Sequence, residues 1–188
     1  MVRWEPESRG RLAEAAMVLY AEQGFDRTTV AEIAERAGLT ERTFFRHFAD
    51  KREVLFSGAQ ALQELLVTTV VNAPAASSPL EAVTLALEAA GRLFQARRDF
   101  SLQRQRIIDS SAELQERELI KLASLAAALA NALRQRGVSD PTAGLTGEIG
   151  IALFKVSFDR WVSSSEPVEM AQTVRDSLDQ LRAVTATP

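Results

Sequence analysis

The chain has no cysteine and only one histidine among its 188 residues. These absences exclude a disulfide framework and a thiolate-bound metal, and they leave a histidine-built metal centre without support. Enzyme signatures are missing as well, because no phosphate-binding Gly-x-x-x-x-Gly-Lys loop, no Gly-x-Ser-x-Gly and no His-Glu-x-x-His occurs. We therefore predict no catalytic residue, no metal, no cofactor and no enzymatic activity.

Long apolar runs are also scarce. We find none that reaches the ~20 residues of a bilayer span, and the first ten residues lack the apolar stretch of a signal peptide. A cytoplasmic protein with no membrane partner is expected. The net charge is −3, and residues 1–56 hold nine basic and ten acidic side chains, so any affinity for DNA must come from a local cluster. Such a cluster is present in Arg42, Arg46, His47, Lys51 and Arg52.

Helix signals recur along the chain, whereas alternating strand patterns are nearly absent. Thr29 and Ser78 each precede a glutamate by three residues, which is the pattern of a capping box. After Asp50 the apolar spacing indicates one long helix that reaches to about residue 71. We predict an all-α fold of about nine helices.

The segment Gly24–Phe56 is the most informative part of the sequence. It predicts two short helices joined by a tight turn, with Gly38 supplying the positive φ of that turn and Ala34 letting the helices approach. Phe44 and Phe48 would pack inward, which leaves a polar face of the second helix outside. Side chains of that kind contact base edges and phosphates in the major groove. On this spacing alone, an ordinary αα-hairpin with a solvated face remains the alternative.

The full pattern is Gly-Phe-x-x-Thr-Thr-Val-x-x-Ile-Ala-x-x-Ala-Gly-Leu-Thr, followed by Thr-Phe-Phe-x-His-Phe-x-x-Lys-x-x-Val-Leu. It resembles the N-terminal domain of the TetR family of transcriptional repressors over roughly residues 8–56. The resemblance implies a three-helix DNA-binding domain of residues 1–56, with a helix-turn-helix at about 29–48. Residues 57–188 would then form a helical ligand-binding and dimerisation domain.

By position, the resemblance implies a set of DNA contacts on and around the second helix of the motif. Family members contact phosphates at the positions of Thr29, His47 and Lys51, and bases at those of Arg42 and Thr43. A lone histidine is more often structural or solvated, but the place of His47 in the motif favours a contact. The predicted DNA-binding residues are Thr29, Thr40, Glu41, Arg42, Thr43, Phe45, Arg46, His47 and Lys51.

Phe45 departs from the family pattern. The family often has tyrosine at this position, and the tyrosine hydroxyl bonds a phosphate. Phe45 lacks that hydroxyl, so only a contact with a thymine methyl group or a sugar is left to it.

Residues from about 80 onward carry no motif that dictates chemistry. An apolar helix near 141–164 and an apolar stripe near 167–184 are typical of buried packing faces. The resemblance implies that these two helices form the interface of a homodimer; packing within one chain is the alternative. The predicted interface residues are Leu145, Ile149, Val156, Ala171, Val174, Leu178 and Leu181.

The resemblance further implies that a small ligand in the C-terminal domain releases the protein from a palindromic double-stranded operator. Candidate pocket residues are Phe94, Phe100, Arg104, Ile107, Ile108, Phe154, Phe158 and Trp161, with an ordinary core and a solvated arginine face as the alternatives. Residues 97–122 loosely resemble the regulators of mycofactocin systems, a TetR subgroup associated with acyl-coenzyme A ligands. We therefore expect a lipophilic effector with an acidic head. A DNA-binding organiser or regulator without a small-molecule inducer is the competing hypothesis.

Overall fold

The structure is a computed structural model that describes residues 5–186, with side chains from residue 8 onward. Over that range the chain forms ten α-helices and no β-strand, which confirms the all-α prediction. The helices are α1 (Glu5–Gln23), α2 (Val30–Arg36), α3 (Glu41–His47), α4 (Arg52–Leu55), α5 (Ala59–Val71), α6 (Pro79–Gln95), α7 (Arg98–Asp109), α8 (Ala112–Gln135), α9 (Asp140–Ser163) and α10 (Met170–Thr185).

The helices group into two compact units. The N-terminal unit comprises Met1–Gly58 together with Leu102–Glu118, and the C-terminal unit comprises Ala59–Ser101 together with Leu119–Pro188. The sequence predicted one boundary, at residue 56, whereas these two units divide after residues 58, 101 and 118. It did not anticipate that residues 102–118 belong to the N-terminal unit.

The core of the N-terminal unit is built on the apolar face of α1, whose side chains at helical spacing are buried. Leu12 and Ala16 are fully buried there, as are Ile33 of α2 and Phe44 of α3. The downstream segment completes this core with three buried side chains, Ile107, Ile108 and Leu114. A second stretch of chain is therefore part of the hydrophobic core on which the motif helices rest.

The long helix predicted after Asp50 is broken into two. α4 ends at Leu55, and Phe56 leaves helical geometry as its C-cap, with a ring that is 5% exposed. Burying this ring in the N-terminal core requires the chain to turn, and α5 begins only at Ala59. This break accounts for the tenth helix.

One described stretch, Arg52–Val71, is long and apolar enough to cross a membrane by length and composition. The prediction that no run reaches this length was wrong by that measure. The stretch is interrupted in the structure, because α5 has 13 residues and α4 only four, and a membrane-spanning helix needs ~20. Leu66 and Val70 of α5 are buried in the core of the C-terminal unit.

In the C-terminal unit, α6 packs against α5, α9 and α10, and α9 packs against α10. Two glycines of α9 allow close helix contact. A Cβ atom on Gly150 would lie 2.6 Å from Val83 Cγ1, and one on Gly147 would lie 2.6 Å from the Ala126 carbonyl oxygen. Side chains larger than hydrogen at these positions would force the helices apart.

Candidate nucleic-acid interface

The turn between α2 and α3 is a Schellman motif. Gly38 N–H donates to the Glu35 carbonyl at 2.9 Å, and Leu39 N–H donates to the Ala34 carbonyl at 2.8 Å. Gly38 has φ of +64°, which confirms the role predicted for glycine here. The Arg11 guanidinium also donates to the Ala37 carbonyl, so α1 helps to close the same turn.

Both motif helices begin with a threonine cap. Thr29 forms a capping box with Glu32: its hydroxyl accepts from the Glu32 N–H, and the Glu32 carboxylate accepts from the Thr29 N–H at 2.7 Å. The hydrogen bond from the Thr29 backbone, with those from the Thr29 and Gln23 side chains, lowers the pKa of Glu32. Thr40 caps α3 in the same way by accepting from the Thr43 N–H at 3.2 Å.

α3 places its side chains on two faces. Phe44 and Phe48, the residue that caps its C-terminus, are buried, with ring centroids 5.4 Å apart. The opposite face is exposed and carries Glu41, Arg42, Phe45 and Arg46. Arg42 has no ion pair among residues 8–186, so its guanidinium is available to an external acceptor. This is the polar outward face that the sequence predicted.

Two other predicted contacts flank this face. The Thr43 side chain is half-buried, and its hydroxyl lies 3.0 Å from the Thr40 hydroxyl. His47 is also half-buried, and its Nε2 atom is buried with no hydrogen-bond partner in the described part of the chain. A phosphate contact through that nitrogen requires the imidazole to rotate.

Lys51 has a different role from the predicted phosphate contact. Its ammonium group donates to the carbonyls of Phe25 at 2.8 Å, Asp26 at 3.3 Å and Thr28 at 2.9 Å. It also lies 4.3 Å from the centre of the Phe25 ring. An ammonium has three protons and all three have acceptors here, so none is left over for the predicted phosphate contact. Lys51 fixes the loop that leads into α2.

The backbone of Lys51 is held from the other side by α1. The Tyr20 hydroxyl donates to the Lys51 carbonyl at 2.6 Å. Burial of the phenol, assisted by the charge of Asp50, raises the pKa of Tyr20 well above its usual range, so the hydroxyl keeps its proton and its donor role. The start of α4 is thereby fixed to α1.

Residues 102–118 form the elbow, a name we use for the C-terminal part of α7, the first part of α8 and the turn between them. Arg104 in the elbow donates through Nε to the Leu55 carbonyl at 2.8 Å and pairs with Glu118 at 3.0 Å. Its guanidinium also lies 5.0 Å from the centre of the Phe56 ring. Burial lowers the pKa of Arg104, and the Glu118 carboxylate opposes that effect.

Two further ion pairs join the elbow to α4. Arg117 donates twice to Glu53 Oε1, and Arg52 pairs with Glu113 at 2.8 Å. Arg52 also donates to Asp50 at 2.5 Å, so its charge is already matched within the N-terminal unit. Of the basic cluster predicted from sequence, Lys51 and Arg52 therefore have partners within the N-terminal unit, and Arg42 and Arg46 are exposed on α3.

The predicted ligand residues do not form one cluster within a unit. Arg104, Ile107 and Ile108 belong to the N-terminal unit, where both isoleucines are buried in the core. The two isoleucines are therefore core residues of that unit, which is the alternative given above for the candidate pocket. Four aromatic residues of the C-terminal unit do come together, with neighbouring ring centroids 5.7–5.8 Å apart: Phe94, Phe154, Phe158 and Trp161. Phe100 is 41% exposed.

The predicted dimer-interface residues fall into two groups, those buried within one chain and those that are at least partly accessible. Ala171, Val174 and Leu178 are buried within one chain, because α10 packs this stripe against α6 and α9. Within one chain these three side chains are therefore packed against other helices, as the intramolecular alternative expects. Of the other predicted residues, Leu145 and Val156 are exposed on α9, whereas Ile149 and Leu181 are half-buried against the core. A groove of about 250 Å³ between α9 and α10 is lined by Ile149, Ala152, Leu153, Val156, Ser177, Gln180, Leu181 and Val184.

The helix-turn-helix with its capped, outward-facing second helix has recognisable relatives. Residues 12–57 match the family of bacterial regulatory proteins called the tetR family. This segment of the chain is therefore that of a tetR-family regulatory protein. The transcriptional regulator TcmR of Streptomyces glaucescens is 39% identical over 82 residues, which cover 44% of this chain and 36% of TcmR. The repressor KstR2 of Mycobacterium tuberculosis is 43% identical over 47 residues, which cover 25% of this chain and 24% of KstR2.

The matches to these curated relatives thus span about a quarter to a third of their length. Solved structures resemble this chain over nearly its whole length. A regulator from Syntrophomonas wolfei aligns with a TM-score of 0.69 at 16% identity, covering 96% of each chain. The fatty acid degradation regulator FadR from Bacillus halodurans aligns at 0.65 and 18%, covering 99% of this chain and 100% of FadR. At these identities the likeness establishes the fold.

Sequence reasoning missed the elbow and its ion pairs. The local signal was present, since Ile107 and Ile108 form an apolar pair in an otherwise polar helix, which indicates that the helix packs against something. The partner could not be read from the sequence. Arg117 and Glu53 are 64 residues apart, and neither is at a position that the motif specifies.

Proposed function

We propose that this TetR-family chain is a cytoplasmic, homodimeric transcriptional repressor that binds a palindromic operator in double-stranded DNA. The observation that carries the proposal is the exposed face of α3, where Glu41, Arg42, Phe45 and Arg46 point away from a helix whose other side is buried. A helix held in this way fits the major groove with its side chains at base edges. Rigid support from the Schellman turn, the threonine caps and the elbow fixes the direction of that face.

The roles proposed on this face follow from donor and acceptor chemistry. Arg42 supplies paired donors of the kind that recognise the O6 and N7 atoms of guanine. Glu41 accepts from a cytosine amine, and Arg46 serves the phosphates. The Thr29 and Thr40 caps are exposed at the helix N-termini, where an approaching phosphate is favoured by the helix dipole.

For the dimer, we propose the exposed apolar face of α9 and α10 as the interface. Leu145 is 65% exposed, Val156 50% and Val184 80%, and the groove between the helices is lined almost entirely by apolar atoms. Exposed apolar surface of this kind is costly in water and is typical of an interface core. The proposed interface contains four of the residues predicted from sequence, Leu145, Ile149, Val156 and Leu181. It also contains Ala152 and Val184.

For the effector, we propose a small lipophilic molecule with an acidic head, such as an acyl-coenzyme A. The aromatic cluster around Phe94 and Phe158 offers apolar surface, and the Arg98 guanidinium lies 5.6 Å from the Trp161 ring centre. Arg98 Nε is buried and lacks a hydrogen-bond partner in the described part of the chain. Among structural relatives, FadR from Bacillus subtilis was solved in complex with stearoyl-CoA. Addition of acyl-coenzyme A of several chain lengths to the protein–DNA complex tests this part, with free coenzyme A as the control.

A regulator without a small-molecule inducer is the second candidate. The close approaches of α9 to α6 and α8 at Gly150 and Gly147 favour it, because helices in such contact leave little room between them. If no acyl-coenzyme A releases the DNA while the DNA binding itself is intact, this second candidate gains support.

Selection of bound duplexes from a random pool tests the central claim. We expect a palindromic winner with two half-sites about one or more helical turns apart. Arg42→Ala should weaken binding to that duplex by ~1–3 kcal/mol and relax the preference at one base position in each half-site. Arg27→Ala is a matched control, because Arg27 is exposed but donates to the Gln23 carbonyl outside α3. If the wild-type protein selects no duplex, the DNA-binding proposal is refuted.

A further inference from the structure

Phe45 is an anomaly of the N-terminal unit. Its side chain is 55% exposed, and it is the one large apolar residue that is exposed among the described residues of that unit. The neighbouring aromatic residues of the same segment, Phe44 and Phe48, are 0% and 3% exposed. The core is therefore complete without Phe45, and its exposure is not a by-product of packing.

The ring is held in a defined position. It contacts Phe44 edge-to-face, with centroids 5.5 Å apart and an angle of 84° between the planes. Residues four apart lie on one face of a helix, so Phe45 shares its face with Glu41 and with its neighbours Arg42 and Arg46. An apolar ring thus lies in the middle of a charged surface.

The chemistry of the major groove indicates what this ring can contact. Base edges there present hydrogen-bond donors and acceptors and a single kind of apolar group, the C5-methyl of thymine. A phenyl ring gains nothing from the polar edges, whereas it excludes water from a methyl group. Resting on the proposed DNA-binding function, we propose that Phe45 is a specificity-determining residue that reads thymine through its methyl group.

The test uses the duplex selected from a random pool, with each thymine replaced in turn by uracil. This change removes the methyl group and keeps every hydrogen-bonding group. We expect the wild-type affinity to fall about fourfold at one or two thymines of each half-site, the effect of uncovering one buried methyl. In Phe45→Ala the same replacements should have no effect, and in Phe45→Leu part of the effect should remain.

Two controls separate this contact from general damage. Because Phe45 is 55% exposed and its main contact is the Phe44 ring, Phe45→Ala should melt within a few degrees of the wild-type temperature. Arg42→Ala should weaken overall binding but retain the sensitivity to uracil. A wild-type protein that tolerates uracil everywhere would overturn the proposal, and so would a Phe45→Ala variant that keeps the sensitivity. In both cases DNA binding stands; failure to select any duplex would refute the proposed function and the reading of Phe45 together.

Discussion

Arg117 directs both Nε and Nη2 onto one oxygen of Glu53, at 2.8 and 2.5 Å, and so joins the elbow to α4. The two side chains are 35% and 20% exposed, which places the pair between a surface and a buried salt bridge. We expect the double-mutant cycle of Arg117→Met and Glu53→Gln to give a coupling free energy of about 1 kcal/mol. Urea unfolding of the four proteins measures it.

The pair Arg36–Glu22 in the same unit is the control for this cycle. The distance between Arg36 Nη1 and Glu22 Oε2 is 2.6 Å, but the two side chains are 41% and 55% exposed. Solvent screening should reduce its coupling to a few tenths of a kcal/mol. Equal coupling free energies in the two cycles would show that the elbow pair stabilises the N-terminal unit no more than an exposed surface pair does.

Lys51 provides a prediction that separates a structural role from a DNA contact. Lys51→Met removes three hydrogen bonds from a charged donor, so the free energy of unfolding should fall by about 2 kcal/mol. The slope of log K for DNA against log salt should stay unchanged in the folded variant, since each lost phosphate contact would reduce it by about 0.9. Thermal unfolding and salt titrations measure the two effects. A stable variant with a reduced slope would return Lys51 to the DNA-contacting residues.

Local interactions explain why so much of the motif could be predicted. The capping box of Thr29 and Glu32 and the positive φ of Gly38 depend on residues within four positions of one another, and both are present as expected. The outward face of α3 follows from helical spacing alone. The resemblance to the TetR family lies in the same short segment.

Long-range packing explains the rest. The stripe Ala171, Val174 and Leu178 has the spacing of a helix seam, but spacing cannot say whether the partner helix belongs to the same chain or to a second one. Ile107 and Ile108 have the same limit: an apolar pair predicts burial, and it does not identify the unit that buries it. The partners of a charged side chain can also be hidden from the sequence. Lys51 donates to backbone carbonyls, and every residue has one, so no sequence pattern marks these acceptors.

The Asp50 carboxylate predicts a pH dependence of stability. It accepts from the Arg52 side chain and from the N–H groups of Arg52 and Glu53, and these hydrogen bonds, led by that of the Arg52 side chain, lower its pKa below the usual 3.8. A lowered folded-state pKa means stabilisation that is full above the unfolded-state pKa and is lost as the pH falls through the folded-state value. Asp50→Asn should therefore cost about 1 kcal/mol at pH 7.

The cost should begin to shrink below about pH 4, where the carboxylate of the unfolded chain takes up a proton, and should be smallest once the pH is below the lowered folded-state pKa. Urea unfolding at several pH values between 7 and 3 measures the difference between the two proteins. Asp179→Asn, on an exposed side chain of α10, is the control and should change little over the same range. A constant difference at all pH values would mean that Asp50 acts through shape and not through its charge.

The proposed dimer face makes the last prediction. Val156→Asp puts a charge in the groove between α9 and α10 on a side chain that is 50% exposed in one chain. The isolated chain should tolerate the change, whereas a dimer would have to bury the carboxylate without a partner at a cost of several kcal/mol. We expect sedimentation at the mass of one chain and DNA binding reduced to that of a single half-site.

Leu85→Asp is the matched control, since Leu85 is a 40% exposed apolar residue of the same unit that does not line the groove. It should leave the dimer intact. Val174→Asp cannot serve for this purpose, because Val174 is fully buried and a charge there should unfold the C-terminal unit before any interface is tested. A Val156→Asp protein that is folded and still sediments as a dimer would move the interface to another surface of the chain, and the half-site spacing of the operator would then have to be explained from that surface.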